Sequence, residues 1–566
     1  MFEGGQTTRP TLADQIVARA GWVHARVLMA RFMRSVRRGR RAQERVLLQK
    51  LRRCADSTYG QDFGFAKIQR YRDFAAQVPI QTYEDVKPYV ERVKRGQTDA
   101  MFGPSEKVLM FALTSGTAGD EKYIPVTQSF LAEYRRGWNT FGLKALMDHP
   151  GTLLRPILQI TSPMDEFHTE GGIPCGAITG LMAATQKAIV RKYYVAPLSV
   201  AYIPEIEAKY YTLLRLGIPK DVAFLITASP ATQLQLARTA DAYRDDLIRD
   251  IHDGTLTDRW KIPGEIRQDL TSRLEPRPDL AQELEKLVST YGALRPKDFW
   301  RLGFLCNWTG GTMGLYLRDY PTHFGPTPVR DLGLLATEGR ISMPIADKTA
   351  AGILEIESHF YEFIPRAEWG ANHPVTLRSH QVQVGQEYFV LLTTSSGLYR
   401  YDIGDLVRVT AMIGDTPMIE FLNRGIHVSS LSGEKLTEHQ VVLAMEEVCK
   451  KNGWSVSNFL MTPTWGTPPR YTVHLDRPIG QGERTLTVLA TLLDEALSRV
   501  NIEYASKRKT GRLAPVVARL LPTGTLDRLD DELRSKKRRG NEQYKHRYLY
   551  TSPEASQQLL ASVIAG

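Results

Sequence analysis

The chain has 566 residues, of which 42% are hydrophobic and 24% are charged. This length corresponds to several domains of ~150 residues, and the composition is typical of a water-soluble globular enzyme. The four cysteines (Cys54, Cys175, Cys306 and Cys449) are too far apart for a CxxC pair, and no run of ~18 apolar residues could span a membrane. These features exclude a disulfide-stabilised secreted domain and an integral membrane protein. With no secretory leader visible at the start, we expect a cytoplasmic protein.

The first predicted elements are one or two helices over residues 12–54, where apolar residues recur at roughly helical spacing. The net charge of +11 resides here, because residues 19–53 contain twelve lysines or arginines and a single acid, Glu44. Such a run is typical of a solvated helical face. The neighbouring apolar residues, Trp22 and Leu28 among them, leave open a weak contact with an anionic membrane. Nucleic acid is not an expected partner, since no recognition motif accompanies the charge.

The next informative segment, residues 108–126, is predicted to form a strand and a glycine-rich loop that leads into a helix. The loop has the sequence LTSGTAGDEK at residues 113–122. Its small residues let the backbone approach phosphate oxygens, and Lys122 adds a cation. The spacing differs from that of a Walker A loop. Taken alone, such a turn after a strand is more often a loop that binds nothing.

Farther along the chain, residues 200–300 have the apolar period of helices. Residues 352–409 show short strand-like runs punctuated by glycine and proline. We therefore predict an α/β protein, with a domain boundary near residues 422–435. The part beyond the boundary is predicted to be a small α+β unit, with helices at residues 438–451 and 485–500 and a strand near residues 471–475.

A second candidate motif is LLATEG at residues 334–339. Glu338 follows small residues at the end of an apolar run, and a carboxylate in this place can bind Mg²⁺, which prefers oxygen ligands. A glutamate in an ordinary surface turn has the same appearance. The motif alone does not distinguish the two.

A third candidate motif is GLYRYDIGD at residues 397–405, which we predict to be a glycine-bounded turn between strands. A carboxylate there, such as Asp405, could accept hydrogen bonds from the diol of a ribose. The alternative is a β-turn whose aromatic residues pack across strands.

The order and context of the three motifs resemble those of the adenylate-forming enzymes. More closely, they resemble the acyl-acid amido synthetases known as the Gretchen Hagen or auxin-responsive family, in a bacterial-type form. The resemblance extends over nearly the whole chain. Its other parts are Gln43-Glu44, Tyr59-Gly60, Val78-Pro79-Ile80, Phe299-Trp300, Gly310-Gly311, the YEFIP run at residues 361–365, the NIEY run at residues 501–504 and Gln543-Tyr544-Lys545.

The resemblance implies an architecture and a set of site residues. It implies a large N-terminal adenylation domain of mixed sheets and helices (residues 1–424) and a small mobile α+β lid (residues 425–566). ATP and Mg²⁺ are the implied cofactors. Many relatives have an aromatic residue where Leu334 stands, so aliphatic packing is expected to replace adenine stacking. The implied residues are Thr114, Ser115, Gly116 and Thr117 for the phosphates, Thr337 for the nucleotide, Glu338 for Mg²⁺, Asp405 for the ribose, Arg424 and Lys435 at the hinge, and Lys122 and Lys545 as catalytic cations.

The resemblance also implies a reaction. A carboxylic acid would be activated as an acyl-adenylate with release of pyrophosphate, and the acyl group would pass to an amine, most simply an amino acid. Two alternatives stay open: a ligase that forms a thioester with coenzyme A or a carrier protein, and a non-catalytic acyl- or nucleotide-binding relative. The expected partners are small molecules, and the expected state is a monomer.

Overall fold

The computed structural model describes residues 12–115, 121–424, 428–454, 456, 458–479, 483–529, 548–554, 556, 558 and 560. The chain divides into two compact units. The N-terminal unit comprises residues 1–114 and 123–422, and the C-terminal unit comprises residues 115–122 and 423–566. Both contain helices and sheets, which confirms the predicted α/β class. The predicted boundary after residue 424 and the mobility of the lid stay predictions.

Some helices of the N-terminal unit begin at a residue whose side chain accepts a hydrogen bond from a first-turn amide. At the start of the helix Gln128–Asp148, Thr127 Oγ1 accepts a hydrogen bond from the amide of Phe130 at 3.0 Å. Between residues 200 and 300 the chain is mainly helical, as predicted. The helices are α1 Leu12–Arg37, α2 Gly39–Arg53, α3 Thr58–Asp62, α4 Tyr71–Gln77, α5 Tyr83–Lys94, α6 Gln128–Asp148, α7 Ile178–Ala184, α8 Ala188–Arg191, α9 Ile206–Gly217, α10 Pro230–Ala242, α11 Arg244–Asp253, α12 Gly264–Thr271, α13 Pro278–Tyr291, α14 Pro296–Phe299 and α15 Tyr320–Phe324.

Helices α1 and α2 occupy the segment with the excess of positive charge. Their apolar sides, with Phe32, Val36 and Leu47 among them, are buried in the core. Most of the arginines between residues 26 and 52 are exposed, as a solvated face requires. Lys50 is an exception to the predicted solvated face: it is only 3% exposed and forms an ion pair with Glu133 on α6.

The strands of the N-terminal unit include one that the sequence analysis missed. A strand at Glu121–Thr127 separates the glycine-rich loop from α6, where a direct passage from loop to helix was predicted. The strands are β1 Val108–Ser115, β2 Glu121–Thr127, β3 Ile157–Gln159, β4 Phe167–His168, β5 Pro174–Gly176, β6 Phe224–Ile226, β7 Phe304–Asn307, β8 Val329–Asp331, β9 Leu335–Ala336, β10 Gly339–Arg340, β11 Ser342–Met343, β12 Gly352–Leu354, β13 Phe360–Pro365, β14 Leu377–Arg378, β15 Glu387–Thr393, β16 Tyr401–Ile413 and β17 Thr416–Arg424.

These strands form three sheets and a hairpin. The order β3-β6-β7-β8 is wholly parallel, and its central strands are buried on both faces. A mixed sheet has the order β2-β1-β5-β4, and a seven-stranded sheet has the order β11-β12-β17-β16-β15-β13-β14. Strands β9 and β10 form a separate antiparallel hairpin.

The C-terminal unit has the predicted α+β composition. Its sheet has the order β20-β21-β22, with β20 and β21 antiparallel and β21 and β22 parallel, and its core includes Leu436, Tyr471 and Leu497. Within the ranges described for the whole chain, no helix is long and apolar enough to cross a membrane. The elements of this unit are β18 Val428–Ser429, β19 Leu436–Thr437, α16 Glu438–Asn452, β20 Leu460–Thr464, β21 Arg470–Leu475, α17 Glu483–Val500, α18 Ile502–Lys509 and β22 Val517–Leu520.

Candidate active site

The predicted metal-binding segment follows the carboxyl edge of the parallel sheet. Asn307 at the end of β7 is in register with Asp331 at the end of β8. Ligands of open α/β sheets bind outside this edge. The chain runs from Asp331 to the β9–β10 hairpin within a few residues, so Thr337 and Glu338 closely follow this edge in the sequence.

Asp331 fixes the two loops that leave this edge. Its carboxylate accepts hydrogen bonds from the amide of Thr309 at 2.5 Å and from the amide of Gly333 at 2.5 Å. Trp308 Nε1 donates to the carbonyl of Gly333 at 2.9 Å. Burial raises the pKa of Asp331 above its ordinary value, and these hydrogen bonds oppose the rise. The sequence analysis did not identify this group, which holds the connection from β8 to the hairpin.

The hairpin consists of β9, β10 and the two residues between them. Gly339 pairs with Ala336 and Arg340 pairs with Leu335, so Thr337 and Glu338 form a two-residue loop. Such a loop has little conformational freedom. Leu335 also packs against the apolar cluster that contains Ala112 of β1, which links the hairpin to the strand that leads into the glycine-rich loop.

Glu338 has the environment of a carboxylate that binds a cation. Only 2% of its surface is exposed. Its carboxylate makes no hydrogen bond or ion pair with the described residues. Neither of its oxygens is among the fully buried polar atoms that lack a partner, so the carboxylate keeps some access for a cation. No group of three or more metal-ligating side chains occurs in the described ranges. A single carboxylate nevertheless fits Mg²⁺, which is commonly held by one or two carboxylates together with phosphate oxygens and water.

The glycine-rich loop is described only at its two ends. Thr114 and Ser115 end β1, and Lys122 lies in β2, where its residue is partly buried. Gly116 and Thr117 lie outside the described residues. The predicted phosphate roles of these five residues therefore stay predictions.

The third motif differs from its prediction. Only residues 397–400 form the turn, whereas residues 401–405 belong to strand β16, so Asp405 lies in a strand. Arg400 is buried, with a positive φ of 47°, and its Nε lies 3.1 and 3.0 Å from the two carboxylate oxygens of Glu362. Tyr399 stacks on Tyr59 at 5.2 Å. These two residues stabilise the fold, which leaves the buried Asp405 as the candidate ligand group of this motif.

The remaining predicted residues belong to the C-terminal unit. Lys435 is exposed and has a positive φ of 50°. It follows Glu434, whose buried carboxylate accepts hydrogen bonds from the amides of Leu431 at 2.6 Å and Ser432 at 2.7 Å. Arg424 ends β17. The side chain of Arg424 and the whole of Lys545 lie outside the description, and their roles stay predictions.

A buried polar network that the sequence analysis missed connects the elements around the predicted site. Lys50 Nζ donates to both carboxylate oxygens of Glu133 at 2.9 and 2.8 Å and to Ser395 Oγ at 2.9 Å. Thr127 Oγ1 donates to the carbonyl of Ser395 at 2.9 Å. The network thus links α2, the start of α6 and the turn that precedes the third motif. Lys50 and Ser395 are 345 residues apart, so no local pattern identifies the pairing.

Comparison with known proteins decides the family. Sequence models of the GH3 family N-terminal, central and C-terminal domains match residues 28–329, 352–424 and 439–554. The chain belongs to the GH3 family. The match to the N-terminal domain includes Thr114 and Lys122, and the match to the central domain includes Asp405. The resemblance predicted from the motifs is confirmed.

Named GH3 proteins align with most of the chain. A jasmonoyl–L-amino acid synthetase of Oryza sativa subsp. japonica is 25% identical over 88% of this chain and 90% of its own length. The 4-substituted benzoates-glutamate ligase of Arabidopsis thaliana is 24% identical over 81% of this chain and 84% of its own length. These relatives are ligases by name. The predicted enzyme class, an adenylate-forming acyl-acid amido ligase, is therefore confirmed at the level of the family.

A solved GH3 structure shares the fold. The acyl acid amido synthetase AtGH3.15, solved in complex with 2,4-DB, superimposes with a TM-score of 0.65 at 19% sequence identity. The superposition covers 99% of this chain and 97% of that one. The predicted architecture, a large N-terminal part followed by a smaller α+β part, is thereby confirmed.

Proposed function

We propose that this GH3-family protein is an ATP-dependent acyl-acid amido synthetase. It activates a carboxylic acid as an acyl-adenylate and transfers the acyl group to an amine, most simply that of an amino acid. The observation that carries the proposal is the carboxylate of Glu338, whose residue is 2% exposed and which makes no hydrogen bond or ion pair with the described residues, in the two-residue loop that follows the parallel sheet in the chain. A buried negative charge in this place fits an enzyme that binds a metal–nucleotide complex.

In the first step, a carboxylate oxygen of the acid attacks the α-phosphorus of ATP, and the bond between that phosphorus and the bridging oxygen breaks to release pyrophosphate. Mg²⁺ held at Glu338 would neutralise charge that develops on the phosphates. Thr114, Ser115, Gly116 and Thr117 offer amides and hydroxyls to the phosphate oxygens. Six further residues are proposed to take part. They are Thr337 beside the nucleotide, Asp405 at the ribose, Arg424 and Lys435 at the hinge, and Lys122 and Lys545 as cations that stabilise the transition state.

In the second step, the amine nitrogen attacks the acyl carbonyl, the bond from that carbon to the phosphate oxygen breaks, and AMP leaves while the amine releases a proton. We propose that the domain at residues 425–566 moves between the two steps, so that Lys545 acts in the first step and is withdrawn in the second.

The acceptor is the feature that separates this proposal from a thioester ligase. The amide-forming names of the relatives favour an amine. The test has two parts. Exchange of labelled pyrophosphate into ATP, measured with a panel of aryl, indolyl and alkyl acids, identifies the acid. Product analysis with that acid and either amino acids or coenzyme A identifies the acceptor. A thioester product would contradict the amide proposal, and no acid-dependent exchange would favour a non-catalytic binding protein.

We also propose that α1 makes a weak contact with anionic membranes. At 3.6 residues per turn, the exposed apolar residues Leu12, Val23, Val27 and Ala30 lie within a sector of about 60° on the face opposite the core. The exposed Arg26 and Arg31 lie on either side of this stripe, and the exposed Arg34 lies within it. The arrangement is that of an interfacial helix, in which apolar residues enter the headgroup region and cations remain beside anionic lipids. The exposed arginines of α1 and α2 are Arg26, Arg31, Arg34, Arg37, Arg38, Arg40, Arg41, Arg45 and Arg52.

Co-sedimentation with vesicles tests this contact. Binding to vesicles that contain phosphatidylserine is expected at low salt and not at high salt, because surface charge interactions are screened. The double variant Val23→Asp/Val27→Asp is expected to bind less, and Arg470→Gln, an exposed arginine of the C-terminal unit, serves as the matched control. Equal recovery in the supernatant with and without anionic lipid would show that the charge is only solvated. We also propose a cytoplasmic location, which the four free thiols support, and a monomer.

A further inference from the structure

The β9–β10 hairpin rests on the ring of a buried histidine. A Cβ atom added to Gly339 would lie 2.8 Å from Nε2 of His359 and 3.0 Å from its Cδ2. The backbone of Gly339 is not in the left-handed region, so its conformation would accept an alanine. The imidazole of His359 therefore excludes a side chain at position 339. Gly339 follows Glu338 directly, so the ring touches the backbone next to the predicted metal ligand.

His359 is held firmly from several directions. It has no exposed surface, and its ring stacks on that of Phe130 in α6 at 5.8 Å and 27°. Gln43 of α2 fixes its backbone, since Gln43 Nε2 donates to the carbonyl of His359 at 2.7 Å and Gln43 Oε1 accepts from the amide of Tyr361 at 2.9 Å. A ring clamped in this way cannot retreat from the hairpin without moving α2 or α6.

The ring is also next to the buried polar network. His359 Nδ1 lies 3.8 Å from the carboxylate of Glu133, which is bonded to Lys50 and to Ser395. Burial and the nearby Lys50 lower the pKa of His359 well below its ordinary value, so the imidazole is neutral. Neither ring nitrogen has a hydrogen-bond partner among the described residues. Among the described residues, the His359 ring therefore acts through packing contacts and not through hydrogen bonds.

We propose that His359 is a positioning residue, whose ring sets the position of the Gly339 backbone and thereby the position at which Glu338 meets the metal–nucleotide complex. The inference rests on the proposed role of Glu338. Its physical basis is that a two-residue loop transmits any displacement of its end to the carboxylate. Misplacement of a catalytic group by ~1 Å can cost ~100-fold in rate.

A reciprocal pair of substitutions tests this contact. Gly339→Ala adds a methyl group that meets the ring, and His359→Asn replaces the ring with a smaller planar group that leaves room for it. Each single variant is expected to weaken binding of Mg²⁺–ATP roughly tenfold in calorimetry. The double variant Gly339→Ala/His359→Asn is expected to recover to within about threefold of the native protein, because the methyl group fills the space that the smaller side chain leaves.

Controls separate positioning from folding. Gly142→Ala lies in α6 and meets nothing within 4 Å, so it should bind as the native protein does. Thermal melting of each variant shows whether it is folded. His359→Asn alone provides the measurement if Gly339→Ala does not fold. Single variants that bind Mg²⁺–ATP normally, or a double variant whose loss is the product of the two single losses, would overturn the inference.

The same measurements distinguish failure of the inference from failure of the proposed function. If the native protein binds Mg²⁺–ATP and activates no acid, the proposed synthetase activity fails while the binding data still report on His359. If it activates acids and the variants bind normally, only the inference fails. A native protein that does not bind Mg²⁺–ATP would overturn both.

Discussion

Arg400 and Glu362 form a buried ion pair that joins the turn before β16 to strand β13. Arg400 is 7% exposed and Glu362 is 1% exposed. The remaining guanidinium nitrogens donate to the carbonyl of Val78 at 2.8 Å and to Thr376 Oγ1 at 3.0 Å. Every part of the guanidinium is thus engaged by the fold. The arginine of the third motif consequently acts as a structural anchor, and the nucleotide role of Asp405 stays a prediction.

The first prediction concerns this pair. Glu362→Gln is expected to destabilise the protein by about 3–5 kcal/mol, because it leaves the Arg400 charge buried without its partner. Urea denaturation of the N-terminal unit measures the change. Glu387→Gln provides the control, since Glu387 pairs with the exposed Arg366 and Arg408, and loss of an exposed pair costs at most about 1 kcal/mol. Equal costs for the two variants would contradict the structural role.

The second prediction concerns Glu338. Glu338→Gln is expected to lower acid-dependent pyrophosphate exchange by ~100-fold or more, because a neutral amide cannot replace the carboxylate at Mg²⁺. Without nucleotide, the variant should melt at about the same temperature as the native protein, since the substitution removes no hydrogen bond or ion pair with the described residues. Glu265→Gln, at an exposed position of α12, is the matched control. Near-normal exchange in Glu338→Gln would refute the metal assignment.

The third prediction concerns the acid stability of the C-terminal unit. Burial, reinforced by Arg519, lowers the pKa of His474 from 6.5 to about 4. The folded state keeps this ring neutral while the unfolded chain takes up a proton below pH 6.5. The contribution of His474 to stability is therefore complete at neutral pH and is lost as the pH falls from 6.5 toward 4.

His474→Gln should remove this loss, which amounts to about 2 kcal/mol between neutral pH and pH ~5. Hydrogen exchange of β20 and β21, corrected for the intrinsic pH dependence, reports the local stability. His373→Gln, at an exposed position, is the control. If β20 and β21 lose the same protection on acidification in His474→Gln as in the native protein, His474 is not the titrating group.

The sequence predicted features that depend on local pattern. The apolar period located α6, α16 and α17, and the order of motifs identified the family, because each motif is a short run with its own chemistry. Strand β2 was missed because its residues 121–127 adjoin a helix with a stronger signal. Asp405 was placed in a turn because the glycines at positions 397 and 404 masked the strand that begins at Tyr401.

The contacts that fix the candidate site depend on residues far apart in the chain. Lys50 was counted with a solvated basic face, and only the fold shows that Glu133 and Ser395 surround it. His359 belongs to no motif, and its contact with Gly339 exists because the connection between β12 and β13 brings its ring against the hairpin. Spacing along a sequence cannot reveal such a contact, although a glycine directly after the predicted metal ligand indicates that another group lies close to the backbone.

The last prediction concerns Lys545 and the order of the two half-reactions. Lys545→Ala is expected to slow formation of the acyl-adenylate by ~100-fold or more, because the variant lacks a cation for the negative charge that develops on the α-phosphate. Amide formation from preformed acyl-adenylate should change little, since Lys545 is proposed to be withdrawn from the site in that step. Single-turnover kinetics of each half-reaction separate the two effects. Arg547→Ala, two residues farther along the same basic segment, is the control for a general loss of charge. Equal losses in both half-reactions would show that Lys545 serves binding or folding in general, and would remove the main reason for proposing that the domain at residues 425–566 moves between the steps.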